Sequence, residues 1–441
     1  MKTSSLAAAA LAAIAIASGT RADPIPAGWS AENVEPVGFT GLGGKYGAFK
    51  TAIKHAANGK WYLYMGHSFD LGWSIVDVTD PANPRHVKFI AYEKPKKGLI
   101  TSQVTVHDNL MLTALNSFTL LPGEQLPAVL LWDISDPENP KRVGEWMGGP
   151  TGTHRNSYPG GKYAYLSGSY PGFKGSIMIV LDVSDPAHPK DVGKWWQPGQ
   201  KEGEAPPPAG VPQGFHGPVN MSPDGTWASL PYTPSIVNLD MSDPTQPKLI
   251  GQLQMTPPFA NVGIQSVHSV LPLWDRKLLF ASSEAMKADC KDAGMHFAAM
   301  IDNADPAHPR LMSMFPEPVP PKGAPYHNFC EKGGRFGAHN TNQEIHSPDV
   351  EKPGNLIYIA YFNAGLRIYD ISDPRRPTEV GYFMPPERPD APEHEGAHAS
   401  PINWSEEVAV DTRGNIYLNE DKWGTFVLRY KGAGQPAPTA R

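Results

Sequence analysis

The sequence predicts an all-β fold: a seven-bladed β-propeller of four-stranded blades, its ring closed by an N-terminal strand that completes the C-terminal blade. Two observations establish the repeat, and a third fixes the closure. The hexapeptide ValAspValThrAspPro (76–81) returns as TrpAspIleSerAspPro (132–137), LeuAspValSerAspPro (181–186), LeuAspMetSerAspPro (239–244), IleAspAsnAlaAspPro (301–306) and TyrAspIleSerAspPro (369–374). A second proline follows each copy, at Pro84, Pro140, Pro189, Pro247, Pro309 and Pro377. A module at blade-sized intervals signals a repeat architecture. The last module lacks its fourth strand at the C-terminus, and a matching segment stands near the N-terminus.

Each module follows one grammar. A short strand comes first, often led by histidine, and then a turn such as SerProAspGly (222–225) or ProGlyGlyLys (159–162). The second strand is aromatic and apolar: TrpTyrLeuTyr (61–64), TyrAlaTyrLeu (163–166), LeuIleTyrIleAla (356–360). The third carries the repeated motif, as in SerIleMetIleValLeuAspVal (176–183). After the Asp-Pro-x-x-Pro turn a fourth runs through Val-Gly, as in ArgValGlyGluTrp (142–146). Four strands with turn signals between them fit a propeller blade. The second aspartate of each copy (Asp80, Asp136, Asp185, Asp243, Asp305, Asp373) precedes proline. Its carboxylate is expected to bind backbone N–H groups of the turn while the proline presets φ. These carboxylates are therefore read as turn chemistry rather than catalysts.

In the seventh module AsnIleTyrLeu (415–418) reads as the second strand and ThrPheValLeuArgTyr (425–430) as the third, with no Asp-Pro turn after them. GluProValGlyPhe (35–39) matches the missing Val-Gly strand. Pairing it with the last blade removes the open sheet edges. The grammar resembles that of the LVIVD-repeat proteins, largely exported bacterial chains, from about Pro36 to Tyr430. That resemblance implies a β-propeller and no particular activity.

Residues 1–22 read as a secretory signal peptide: Lys2, an apolar run from Leu6 to Ala17, and ThrArgAla (20–22) as cleavage site. The mature chain is expected to begin near Asp23, periplasmic or secreted, with one propeller domain over 23–431 and a flexible tail over 432–441. No later segment is long and apolar enough to span a bilayer. The net charge of −6 and the absence of a Lys/Arg run argue against nucleic acid. A closed ring needs no partner, so a monomer is plausible. Cys290 and Cys330 are the only cysteines, and in an exported chain they are expected to pair.

The turns between first and second and between third and fourth strands are short and share one face. The other face carries long loops over 115–126, 196–213, 283–296, 316–343 and 384–396, where binding sites usually lie. Five histidines occupy similar places in successive modules, at the start of the strand nearest the axis: His154, His216, His268, His346 and His398. Lys50 and Gln103 stand there in blades one and two. Imidazoles converging on an axis suit a transition metal: copper, iron, zinc or manganese. Glu344, Glu395 and His394 are expected at the same mouth as acid–base groups. Glu393 lies there too, Arg155 is expected at the rim, and His67, His327 and His339 rank lower as loop residues.

No Walker loop, Gly-x-Ser-x-Gly elbow, His-Glu-x-x-His helix or Cys-x-x-Cys pair is present. The expected function is an exported metal-dependent enzyme acting on a small organic substrate, foremost an oxidoreductase. Metal-assisted lyase or hydrolase chemistry is the alternative at the same site. A non-catalytic scaffold for a glycan or protein partner is the other alternative. Carotenoid-cleaving and selenium-binding propellers offer an architectural analogy only.

Overall fold

The computed structural model describes residues 22–117, 126–207, 213–259, 266–287, 290, 295–391 and 401–433. The expected signal segment up to residue 21 and the tail from 434 onward lie outside these residues. The chain is a seven-bladed propeller of antiparallel sheets. Blade one runs from the axis outward as Ala48–His55, Trp61–His67, Gly72–Asp77 and Arg85–Ala91. Blade five repeats the order with Ser269–Leu273, Leu278–Ser282, Ala298–Asp302 and Arg310–Met314. In blades three and six the innermost strand is reduced to isolated bridges, Thr153 to Gly168, Ser157 to Tyr165 and Thr341 to Ile359. Among the described residues no helix is long and apolar enough to cross a membrane.

Middle strands are buried on both faces because each blade is sandwiched between two others. Every residue of Trp61–His67 and of Leu356–Ala360 is buried. Their sequences accordingly read as unbroken apolar and aromatic runs rather than as alternation. Outer strands such as Lys141–Met147 are largely exposed.

The Asp-Pro turns behave as expected. The Oδ1 of Asp80, Asp136, Asp185, Asp243, Asp305 and Asp373 accepts from the backbone N–H two residues on, at 3.0–3.2 Å. The turn has a second task, at the blade-to-blade contact. A Cβ added to Gly144 would lie 2.0 Å from the carbonyl oxygen of Pro186 in the next blade. Gly251 stands likewise 2.3 Å from Ala307 O, and Gly38 2.2 Å from Pro81 O across the closure. Glycine in the Val-Gly strand is thus demanded by close backbone approach. In blade five Ser313 donates its hydroxyl to Pro374 O at 2.6 Å.

The ring closes as the sequence predicts. Val34–Thr40 pairs with Gly424–Tyr430, from Val34 opposite Tyr430 to Thr40 opposite Thr425. An unforeseen strand precedes it: Ser30–Glu32 adds to the outer edge of blade six, beside Tyr382–Met384. Blade seven has no Asp-Pro turn, and Glu32 O instead lies 3.0 Å from a Cβ built on Gly381.

Gly144→Ala should therefore destabilise the fold by about 1–3 kcal/mol through overpacking against fixed backbone. Gly354→Ala, where an added Cβ meets nothing within 4 Å, should be nearly neutral. Urea unfolding midpoints of the two variants check the contrast.

Candidate metal centre

Four histidines hold one backbone position in successive blades. Each donates its N–H to a second-strand carbonyl: His154 to Ser167 (2.7 Å), His216 to Pro231 (3.3 Å), His268 to Ser282 (2.8 Å) and His339 to Ala360 (3.0 Å). Their rings stand side by side around the axis, with centroids 5.2 Å apart for His154 and His216, 4.2 Å for His216 and His268, and 4.6 Å for His268 and His339. Phe49 of blade one completes the circle, 5.9 Å from His339 and 6.5 Å from His154.

Hydrogen bonds orient the rings. His339 Nδ1 lies 2.9 Å from the Glu406 carbonyl, which can only accept. Ser269 donates its hydroxyl to His339 O, so toward His268 Nδ1, at 2.9 Å, its oxygen accepts. A proton on Nδ1 with a lone pair on Nε2, the arrangement used by metal ligands, satisfies these acceptors. The donors Arg155 Nη1, 3.4 Å from His268 Nδ1, and Asn340 Nδ2, 3.2 Å from His339 Nδ1, favour the opposite tautomer. His216 Nδ1 lies between the His268 carbonyl at 3.1 Å and Arg155 Nη1 at 3.0 Å. The guanidinium can only donate and the carbonyl only accept, so the two favour different tautomers, and Nε2 is buried without a hydrogen-bond partner.

The Nε2 edges meet a carboxylate. Glu284 lies 3.4 Å from His268 Nε2 and 3.5 Å from His339 Nε2. Ligand atoms of His216, His268 and Glu284 all fall within 4.8 Å of one another. Arg335 pairs with Glu284 and stacks on Phe362, 4.1 Å from the ring centre. Burial dominates the electrostatics. It lowers the His154 imidazole to about 3 and holds His216, His268 and His339 well below the ordinary value, Arg155 adding to the effect. Burial raises the carboxyls of Glu284 and Glu406. Neutral imidazoles beside a carboxylate form a cation-accepting donor set, with Arg335 as the carboxylate's existing partner.

Arg155 forms the floor of this ring and is only 2% exposed. It donates to His268 O at 2.8 Å, to Asn340 Oδ1 at 2.9 Å and to Gln343. Beneath it Lys50 lies 3.4 Å from Glu344 and 3.6 Å from Glu407, and Thr105 donates to Glu344 at 2.9 Å.

Several expectations change. Arg155 is not a rim residue, and Glu344 sits deep in the axial column rather than at the mouth. His346 does not join the ring: it lines a cavity at the opposite end of the axis with Pro159 and Trp274. His339, ranked below it, takes the place. Spacing misleads here. His154, His216 and His268 precede their backbone partners at 167, 231 and 282 by 13 to 15 residues. His346 stands 14 residues before Ala360, whereas the true partner, His339, stands 21 before it because blade six carries an insertion. The local signal is Gly-x-His, shared by 152–154, 214–216 and 337–339. His398, Glu395, His394 and Glu393 lie outside the described residues.

Other histidines have local partners: His67 meets Ser74 Oγ at 2.9 Å, and His327 pairs with Glu331 at 3.0 Å. Cys290 and Cys330 are joined in a disulfide, Cα atoms 5.4 Å apart, a bond that persists in oxidising compartments. Beside it a cavity of about 530 Å³ opens between blades five and six, walled by Phe259, Phe297, Phe315, Phe336 and Tyr361.

The chain carries LVIVD repeats: the family model of that repeat matches residues 160–195 and 346–384, in blades three and six. No curated protein matches it. It is similar in fold to the β-propeller domain of Cps50 (Swd1) from Myceliophteria thermophila, at 10% identity over 88% of this chain and 98% of that one, with a TM-score of 0.52. A protein from Lactobacillus plantarum gives 11% identity over 87% of this chain and 98% of that one, with a TM-score of 0.49.

Burial raises the Glu407 carboxyl from the ordinary 4.5 to about 7, with Lys50 opposing. A folded value above the unfolded one means that the cost of its charge is absent below the unfolded value and builds as pH rises through the folded one. In chelator-treated protein, Glu407→Gln should gain about 1–3 kcal/mol on the wild type between roughly pH 5 and pH 8, measured by urea unfolding.

Proposed function

We propose that this chain is an exported metalloenzyme that oxidises a small organic substrate, with a transition metal held on the propeller axis by His154, His216, His268 and His339. One observation carries the reading: imidazoles from four successive blades stand side by side on the axis, and ligand atoms of His216, His268 and Glu284 lie within 4.8 Å of one another. The imidazoles bring no ligand charge and Glu284 is the one carboxylate beside them, so iron or copper held there would stay Lewis acidic and supply redox chemistry.

The protein's own contributions follow from its geometry. Backbone and hydroxyl acceptors keep each ring oriented, as outer partners do in metal sites. Glu284, within 3.5 Å of two rings, is placed to hold a proton during turnover. Phe49 and the ring itself restrict water at the axis. The aromatic cavity beside the disulfide adjoins Gly337 and Ala338, which lead directly into His339. It offers an apolar substrate an approach from the long-loop face. The disulfide and the N-terminal leader grammar support export.

Elemental analysis of protein purified without a histidine tag tests this reading. The expected result is about one transition metal per chain, lost in His216→Ala and His268→Ala while circular dichroism is retained. Metal-free protein, with stability unchanged by chelator, would instead identify a scaffold. A second comparison separates the two blade-six histidines. His339→Ala should lower metal affinity at least about tenfold, whereas His346→Ala should leave metal content unchanged.

A further inference from the structure

At the far end of the axis from the histidine ring, the first-to-second turns of blades three to six surround a cavity of about 440 Å³. Its described lining residues lie on the short-turn face. Its wall is apolar and rigid: Pro159, Met221, Pro272, Leu273, Trp274 and Ile345. Trp274 is braced edge-on by Trp227, ring centres 4.8 Å apart, so one aromatic plane is held at the edge of the cavity. A volume of this size suits a small ligand of one or two rings.

The polar groups are few. Arg276 lines the cavity and donates to neutral carbonyl oxygens: Ile371 O at 2.7 Å, Asn355 Oδ1 at 3.3 Å and Gly354 O at 3.4 Å. Lys352, also in the lining, donates to the carbonyls of Ser347 at 2.7 Å and Ile345. Asp275, which is exposed, is the only carboxylate among the described lining residues. Ser222 and His346 contribute further polar groups, and both ring nitrogens of His346 are buried with no hydrogen-bond partner. Leaving such a group unpaired is costly, and a turn about χ2, whose preference is broad for histidine, brings a ring nitrogen toward the cavity.

We propose that this cavity is a second binding site, for a small organic acid: a flat apolar ring seated between Trp274 and the prolines, with its carboxylate on Arg276, Lys352 and His346. Arginine matches carboxylate geometry, and the excess of cations over Asp275 selects an anion. The proposal is independent of the axial metal, since the two sites lie at opposite mouths.

Calorimetric titration with 2-naphthoate and with its neutral counterpart, 2-naphthylmethanol, tests it on the full chain. Wild-type protein should bind 2-naphthoate saturably, with a dissociation constant in the roughly micromolar to submillimolar range. Arg276→Gln should weaken that binding at least about tenfold and alter 2-naphthylmethanol binding by less than about twofold. Trp274→Ala should weaken both ligands. Metal content and circular dichroism should stay at wild-type values in both variants. Absence of saturable binding, equal loss of acid and alcohol in Arg276→Gln, or binding indifferent to both substitutions would overturn the assignment. Bound naphthoate with a metal-free axis would retain this site and remove the enzyme reading.

Discussion

The antiparallel pairing of Val34–Thr40 with Gly424–Tyr430 is the constraint on which the rest of the molecule depends. Without it blade seven would expose an edge and the ring could open. Closure sets the tilt and spacing of seven inner strands, and that spacing decides whether side chains from residues 154, 216, 268 and 339 meet or miss. The glycine-to-turn contacts reinforce it from the rim, because a carbonyl 2.0–2.3 Å from where a Cβ would stand leaves no slack between blades. Precision at the axis is thus inherited from backbone contacts far from it.

The price of that convergence is a column of buried charge. Glu284, Glu344, Glu406, Glu407, Lys50, Arg155 and Arg335 are all buried. Isolated charges of this kind would be strongly destabilising, and even paired ones rarely repay their desolvation. A structural role alone would be served better by leucine and valine, which fill the blade interfaces elsewhere. The axis thus concentrates ionisable groups whose burial is costly.

The fold was legible because its determinants are local and repeated. An Asp-Pro turn, a Val-Gly strand and a buried aromatic strand each leave a mark within a few residues, and the missing fourth strand of the last blade pointed to 35–39. Ser30–Glu32 was not legible: three residues with no periodicity, held by blade six. For the site, His154, His216 and His268 could be read because their blades keep regular length. His339 was obscured by the insertion in blade six, where His346 imitates the regular spacing. Glu284 and Glu406 carry no motif, and their meeting with the rings is a product of closure alone. Arg155 shows the same limit: adjacency to His154 is visible in sequence, but its inward direction is not.

The pairing of Val34 with Tyr430 also orders events in time. Val34–Thr40, made early, must wait for the last strand, Gly424–Tyr430, before it finds its partner. Until then a nascent sheet edge stands open at each end of a string of folded or folding blades, the situation in which chains associate wrongly with one another. The assembly of the axial histidine ring is correspondingly late: its blades take their final spacing only once the last of them has arrived.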